Sequence, residues 1–560
     1  MEKVIDCLFI GHNEMDFVEY EKNVRKMGTA SGAYRDLGKN FILYNNRPYP
    51  VSETYNLFYC SGPGDSTQMK PLGMGETFSN AIAYLGTYLN RRGMTFDYVN
   101  SFTDEKDRLA EKLKQENILT IAIITTLYVA AFPILEVMDF IKTYNRTAKI
   151  VIGGPYVTTQ VRTLEPEELT FLFKSIGADV YVNSSQGEAA LVEIIHALKT
   201  GHPLHRVKNI YHQSGDGYAV TPFLQEDNKL SENMVNWDLF APNAGEYVNV
   251  RTAISCPFAC AFCGFPEHAG KYQPAEVAAL EQELTQLDRI GTVKSVYFID
   301  DTFNVPIKRF KDILRMIIKN RYRYRWHCNF RCQFSDREMV ELMKESGCIG
   351  VFLGIESGNN QILKNMNKKA SREKYLEGAA LLKEYGIVTH GSFIVGFPGE
   401  TEETVNDTIS FIQESQLDFY RAQLWYCETI TPIWREREKY KIKGSQYEWS
   451  HATMDSKTAC DLVDKIFFTI RDSVWVPQYN FEFDHMVHLI HRGMSIRQVK
   501  DFLKAFYTGI RERMENPSRK EVSFEVIRQL KSALGDERPP DEGIEDAVNI
   551  VTKYQAGFTF

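Results

Sequence analysis

The 560-residue chain has no surplus of basic residues: 65 Lys and Arg stand against 73 Asp and Glu, a formal net charge of −8. A nucleic-acid footprint is built from a basic face, so nucleic acid is not an expected partner. Cysteine is scarce, with ten in the whole chain, which excludes a secreted scaffold stapled by disulfides. The first residues carry Glu2, Asp6, Glu14 and Asp16 and lack a basic stretch leading into a long apolar run. No secretory signal is therefore expected, and a cytoplasmic location is. Long hydrophobic runs are missing as well. Residues 117–135 are uncharged and approach the length of a membrane span, but Thr120, Thr125, Thr126 and Pro133 interrupt them. A strand over Ile118–Ile124, a polar loop and a helix start describe this stretch better, and no membrane span is expected. What remains is ordinary: 44% apolar and 25% charged residues, the composition of a globular protein, at a length that suggests three or four domains.

Over residues 1–221 strand and helix signals alternate. Val4–Ile10, Phe96–Val99, Leu119–Ile124, Lys149–Ile152 and Ala178–Val182 read as strands. Ser79–Arg92, with Ala81, Leu85 and Leu89 on one stripe, and Leu135–Tyr144 and Gln186–Lys199 read as helices. This alternation predicts an α/β fold with a doubly wound parallel sheet. Residues 13–75, holding Gly62-Pro63-Gly64, Gly73 and Gly75, interrupt it as an insertion or lid. Residues 222–246, polar and carrying Pro222, Pro242 and Gly245, read as a linker. A second series fills 247–430, with strands at Tyr247–Ile254, Ser295–Asp300, Trp326–Arg331, Gly350–Ile355, Ile387–Val395 and Phe419–Trp425. Five helices lie between them, and the one over Ser335–Glu345 is expected to open on a Ser335/Glu338 capping box. Six strands are too few for a closed eightfold barrel and predict a partial (βα)6 barrel. Over 431–560 strand signals fade. Cys460–Val474, Ile496–Glu515 and Ser523–Leu534 predict a mostly helical third domain, broken at Pro539-Pro540.

The most specific chemistry is Cys256-Pro-Phe-Ala-Cys260-Ala-Phe-Cys263. Three thiolates in eight residues can wrap one soft metal centre from a single loop, and this loop follows the first strand of the second series, where ligand sites of such folds collect. Three cysteines are one short of a closed set of four, and a four-iron cluster so held keeps one iron open. A zinc site would need a fourth ligand, for which Cys328 and Cys332 are the candidates. Cys7, Cys60, Cys348, Cys427 and Cys460 are isolated and read as buried thiols.

The cysteine triplet, with Phe262 before its last member, resembles the signature of the radical S-adenosylmethionine (SAM) superfamily. The resemblance extends to Gly354-Ile-Glu356-Ser357-Gly358, to Ser392-Phe-Ile-Val-Gly396-Phe-Pro398-Gly-Glu400-Thr401, and to Asp300-Asp301-Thr302-Phe303 at the second strand end. It implies a [4Fe–4S] cluster on Cys256, Cys260 and Cys263, with SAM chelating the open iron and cleaved by one electron to a 5′-deoxyadenosyl radical. Phe262, Gly354, Glu356, Ser357, Gly396 and Pro398 would then contact SAM. His327, Asn329 and Arg331 share a strand face opposite Cys328 and Cys332; if the polar face turns inward, Arg331 reaches the SAM carboxylate.

A second resemblance covers the N-terminal part. Thr125-Thr126, Gly153-Gly154-Pro155, Gly177-Ala-Asp179 and Ser184-Ser185-Gln186-Gly187-Glu188, with Asn236-Trp237-Asp238-Leu239 leading into the cysteine loop, are similar to the Rossmann-like cobalamin-binding domain joined to many radical SAM enzymes. It implies cobalamin held near Thr125, Thr126, Gly153, Gly154, Ser184, Gly187 and Glu188. The Asp-x-His-x-x-Gly string that places a histidine on cobalt is missing, and His12 is expected in a turn, so cobalt is expected without a histidine ligand.

Together these resemblances imply a cobalamin-dependent radical SAM methyltransferase acting on an unactivated carbon or a phosphinate phosphorus of a small-molecule or peptide substrate, fed by a low-potential electron donor. Ile10–Phe17 and Ser31–Leu37 are similar to P-methyltransferases of phosphinate antibiotic pathways. A cobalamin-dependent cyclase or rearrangement enzyme fits the same motifs. A non-catalytic corrinoid or iron–sulfur sensor would have no need of the SAM-contacting set.

Overall fold

The computed structural model describes residues 4–60, 71–115, 117–479 and 481–533. Gly62-Pro63-Gly64, Pro539-Pro540 and the rest of 534–560 lie outside the described residues. The first sheet is built from β1 (Val4–His12), β2 (Phe96–Ser101), β3 (Asn117–Ile124), β4 (Lys149–Gly153), β5 (Val180–Val182), β6 (Ile210–Ser214) and β7 (Gly217–Val220), in the order β2-β1-β3-β4-β5-β6-β7. The first five are parallel, and the β6–β7 hairpin adds an antiparallel edge. Helices cover both faces, so the inner strands bury both sides and read as mostly apolar runs, as Ile150-Val151-Ile152 does. Leu8 and Ile10 of β1 enter one core with Ile121, Ile123 and Ile152; Cys7 and Phe9 enter the other with Ala122 and Val151. The uncharged run divides into β3, a turn, and a helix over Phe132–Tyr144 with Pro133 in its first turn. Among the described residues no helix is long and apolar enough to cross a membrane.

The second sheet is wholly parallel: β8 (Tyr247–Val250), β9 (Ser295–Phe298), β10 (Arg325–Phe330), β11 (Cys348–Glu356), β12 (Val388–Val395), β13 (Phe419–Leu424) and β14 (Val474–Trp475), neighbours in that order. Its covering helices carry the stripe their spacing demands; over Ile307–Asn320, Phe310, Ile313, Leu314 and Ile317 are buried. Paired residues of parallel strands share a face. The pairings Asn249–Tyr297–His327, Asn329–Phe352–His390 and Gly354–Ser392–Arg421 therefore define a largely polar concave face. Val296, Trp326, Cys328 and Val351 belong to the opposite, helix-covered side.

The structure corrects two expectations. A seventh strand, β14, comes from the stretch read as helical and pairs with Phe419 and Tyr420; at two residues it is too short to leave a pattern. The Ser335/Glu338 box does not form, because the helix begins at Arg337 and Asp336 caps it by accepting from the Met339 N–H at 2.8 Å. The interruption at 13–75 also has a definite seat where it is described. The short helix Gly32–Leu37 and the residues after it are tied to the helix Ser456–Thr469 by Arg35–Asp461 and Lys39–Asp464, both 2.8 Å. The Val522 N–H donates to the Leu43 carbonyl at 2.9 Å.

Candidate functional site

The cysteine loop hangs from a buried frame. Asp300, just past β9, accepts from the N–H groups of Thr252 and Ala253 at 2.7 and 2.9 Å. Arg309 donates to the carbonyls of Thr252 and Ala275, each at 2.9 Å. Further along, the Ala261 N–H donates to the Met366 carbonyl at 2.8 Å, and Asn367 to the Ala259 carbonyl at 2.6 Å. All ten cysteines are free thiols. Burial pushes the Cys263 thiol up to about 12 and raises Cys256, whose sulfur lies 3.6 Å from the Thr302 hydroxyl. Coordination to a cationic centre would remove those protons. Among the described residues no three His, Cys, Asp or Glu side chains converge on a single-ion position. A four-iron cluster seats each thiolate on a different iron, so its three ligands need not converge in that way. Cys328 lies in the helix-covered core, and the Cys332 thiol faces the Tyr375 carbonyl at 3.8 Å, so neither joins the loop.

Arg331 does not lie free for a SAM carboxylate. One terminal nitrogen donates to the Cys260 sulfur at 3.0 Å, the other to the Lys368 carbonyl at 3.0 Å, and the guanidinium covers the Phe258 ring at 3.6 Å. It is a clamp on the cysteine loop that puts positive charge beside the Cys260 sulfur. Lys368 in turn pairs with Glu356 at 2.9 Å, both buried, and its ammonium lies 5.3 Å from the Phe262 ring centre. Glu356 sits at φ +71 at the end of β11, and a Cβ on Gly354 would come within 2.7 Å of its carboxylate. Phe262, Gly354 and Glu356 are thus brought together beside the cysteines. Ser357 is not with them: it is fully buried, its hydroxyl 3.4 Å from that of Thr408.

The Gly396–Pro398 turn is held from below. Buried Glu400 accepts from the Gly396 N–H, and burial pushes its carboxyl up to about 8. His451 Nε2 lies 3.0 Å from the Gly396 carbonyl, Asn365 donates to the Pro398 carbonyl at 3.2 Å, and a Cβ on Gly396 would strike Trp449 at 2.4 Å. Trp449 and His451 went unassigned in the sequence; their only signal is an aromatic pair in an otherwise polar, charged stretch. Asp301 borders the loop, and partial desolvation and then the Asp300 charge hold its carboxyl above the usual carboxylate range.

In the first sheet, Thr125, Gly153 and Gly154 form one unit at the ends of β3 and β4. The Thr125 hydroxyl donates to the Gly153 carbonyl at 2.9 Å, and Gly154, at φ +117, has room only for hydrogen, since a Cβ would meet that hydroxyl at 2.8 Å. Thr126 is exposed and opens a loop with unusual apolar exposure, Leu127 at 56% and Val129 at 96%. At the carboxyl edge of a doubly wound sheet such a patch fits a large flat ligand. The Ser184–Glu188 turn is occupied by the chain itself. Ser184 accepts from the Gly187 N–H at 3.2 Å, Glu226 takes the N–H of Ala189 at 2.9 Å, and Asn228 donates to buried Glu188 at 3.2 Å. Glu188 and the first turn of the helix that follows Gly187 are thus hydrogen-bonded to the linker. His12 stacks on Tyr128 with ring centres 5.6 Å apart, and burial lowers it to about 4. A cavity of about 370 Å3 lies beside these strand ends, lined by Asn13, Glu14, Glu53, Lys106, Phe132 and Tyr479 among others. The two carboxyl edges approach each other: the helix that starts at Pro155 reaches, through Arg162, the Glu267 carbonyl just past Cys263, at 2.7 Å.

Residues 251–412 match the family described as the radical SAM superfamily, so the second sheet and its cysteine loop are a radical SAM domain, whose cofactors are SAM and a [4Fe–4S] cluster. The chain is 29% identical over 405 residues to an uncharacterized methyltransferase of Pyrococcus horikoshii, covering 69% of this chain and 84% of that protein. It is 25% identical to the anaerobic magnesium-protoporphyrin IX monomethyl ester cyclase of Cereibacter sphaeroides, covering 76% and 71%. Among solved structures, the radical SAM methyltransferase TsrM from Kitasatospora setae, with cobalamin and a [4Fe–4S] cluster bound, superposes with a TM-score of 0.59 at 17% identity over 82% of this chain and 97% of that one. The cobalamin-dependent enzyme OxsB, with aqua-cobalamin and SAM bound, gives 0.55 at 15% identity over 87% and 80%. The two-sheet arrangement is thus the fold of cobalamin-dependent radical SAM enzymes.

Proposed function

We propose that the protein is a cobalamin-dependent radical SAM methyltransferase. The observation that carries this reading is the loop of three free cysteines, clamped by Arg331 and set beside Gly354, Glu356 and Phe262, in a chain whose other sheet offers the Thr125–Gly154 cradle toward the same edge. Cys256, Cys260 and Cys263 would hold the cluster; Gly354 and the Gly396–Pro398 turn would bound the SAM pocket; Thr125, Thr126, Gly153 and Gly154 would carry the cobalamin. When bound, these cofactors supply the radical and the methyl group. The chain's own residues position and shield: Arg331 places charge at Cys260, Lys368 fixes Glu356, and the polar concave face receives the substrate. A low-potential donor supplies the electron. A cyclase without methyl transfer is the second reading, favoured by the relationship to the Cereibacter sphaeroides protein. Anaerobically reconstituted protein should carry about four irons and release 5′-deoxyadenosine from SAM. Changing all three cysteines to Ala should abolish both while cobalamin still binds; full zinc occupancy without iron would refute the reading.

A further inference from the structure

The concave face of the second sheet holds charged and polar groups that no part of the cofactor reading uses. Arg421 stands on β13 in the same row as Ser392 and Gly354. Two strand spacings separate it from Gly354, about 10 Å at about 4.8 Å per strand, the reach of a small molecule. Its guanidinium is buried, with the side chain 8% exposed, and its Nε has no hydrogen-bond partner. The terminal nitrogens fork onto Glu482 at 3.2 and 2.7 Å. Glu482 differs from its partner: it heads the helix Phe483–His491, and its side chain is 51% exposed. Beneath the pair, Phe483 packs between His390 and His327, which are buried with both ring nitrogens unpartnered.

A buried cation whose carboxylate partner remains half in solvent can exchange that partner at low cost. The carboxylate returns to water, whereas the guanidinium cannot leave without being stranded. The fork geometry that accepts Glu482 is also the one that accepts any planar or tetrahedral oxoanion in two-point contact. We propose that Arg421 recognises an oxoanion of the substrate, a carboxylate or a phosphorus oxoanion, and that Glu482 holds its place until the substrate displaces it. The inference rests on the proposed function and deepens it by naming the chemical class held in the barrel.

The test uses cluster- and cobalamin-loaded protein and fluorine NMR titration with trifluoroacetate, trifluoromethylphosphonate and 3,3,3-trifluoropropylammonium. One or both oxoanions should bind, and the two arms separate carbon from phosphorus acids. Glu482→Gln, which removes the internal competitor, should tighten binding about tenfold, and Glu482→Asp should tighten it less. Arg421→Gln should weaken it at least tenfold, and Arg421→Lys should fall between. Unchanged oxoanion binding in Glu482→Gln and Glu482→Asp, or binding of the ammonium probe that is lost in Glu482→Gln, would overturn the proposal. The titration does not depend on SAM cleavage. Oxoanion binding without 5′-deoxyadenosine formation would sink the proposed function alone; cleavage without oxoanion binding would sink this inference alone.

Discussion

Glu283 sets a pH dependence that can be worked out in advance. It lies on the helix Val277–Ile290, 1% exposed, and accepts from the Trp237 indole N–H at 2.9 Å, joining the segment that leads into the cysteine loop to the barrel. Its second oxygen has no partner, and burial pushes the carboxyl up to about 8. The unfolded chain releases the same proton near pH 4.3. Between those values the folded protein binds more protons than the unfolded chain, so this contribution to stability falls as pH rises, and it levels off above pH 8. At pH 7 the loss is about 4 kcal/mol, from about 1.4 kcal/mol per pH unit over the span above pH 4.3. Glu283→Gln keeps the acceptor for Trp237 and removes the ionisation. It should therefore gain about 4 kcal/mol at pH 7 and close to nothing at pH 4.5. A chain of several domains need not unfold in one step, so the readout is urea-dependent hydrogen exchange of peptides covering 230–290. A variant no more stable than the parent at pH 8, or a gap that does not widen between pH 5 and pH 8, would refute the reasoning.

Other consequences are as specific. Arg331→Met removes the donor to Cys260 and its charge, and should weaken iron retention against a chelator by about 10–100-fold while the fold survives. Gly154→Ala forces a Cβ against the Thr125 hydroxyl at φ +117; it should cost about 1–3 kcal/mol and lower cobalamin retention, read by melting and by absorbance after gel filtration. The Co(II) form of the cobalamin-loaded protein should show no axial nitrogen splitting in electron paramagnetic resonance, and His12→Ala should leave the spectrum unchanged, because the His12 ring lies against Tyr128.

Periodicity made both parallel sheets legible. Strands such as Ile121–Ile123 and Val296–Phe298 are short apolar runs closed by turn residues, and the helices between them carry stripes as clear as Phe310–Ile313–Leu314–Ile317. The inward turn of His327, Asn329 and Arg331 also followed from alternation. The role of Arg331 did not: a face can be read from period two, but Cys260 and Lys368 lie far along the chain, and nothing local marks a guanidinium–sulfur contact. Ser357 looked like part of a ligand-binding strand end because it adjoins Glu356, yet alternation across a turn breaks down and buries it against Thr408. The surroundings of Glu188 were hidden in a related way. A helix start after a glycine turn invites a ligand, and the linker's own Glu226 and Asn228 took the position. The part played by the C-terminal stretch was hidden altogether. Trp449, His451, Glu482 and the two-residue strand Val474–Trp475 act through partners 53 to 61 residues away.

The joining of radical SAM cleavage to methyl transfer through cobalamin in one chain can be tested without knowing the substrate. Reconstituted protein loaded with cobalamin is reduced with titanium(III) citrate in the presence of methyl-deuterated SAM. Three deuteriums should appear in the cobalamin fraction with S-adenosylhomocysteine formed alongside, and 5′-deoxyadenosine should come from the cleavage of further SAM. Release of 5′-deoxyadenosine with no S-adenosylhomocysteine and no label on cobalamin would contradict methyl transfer and leave the cyclase reading in its place.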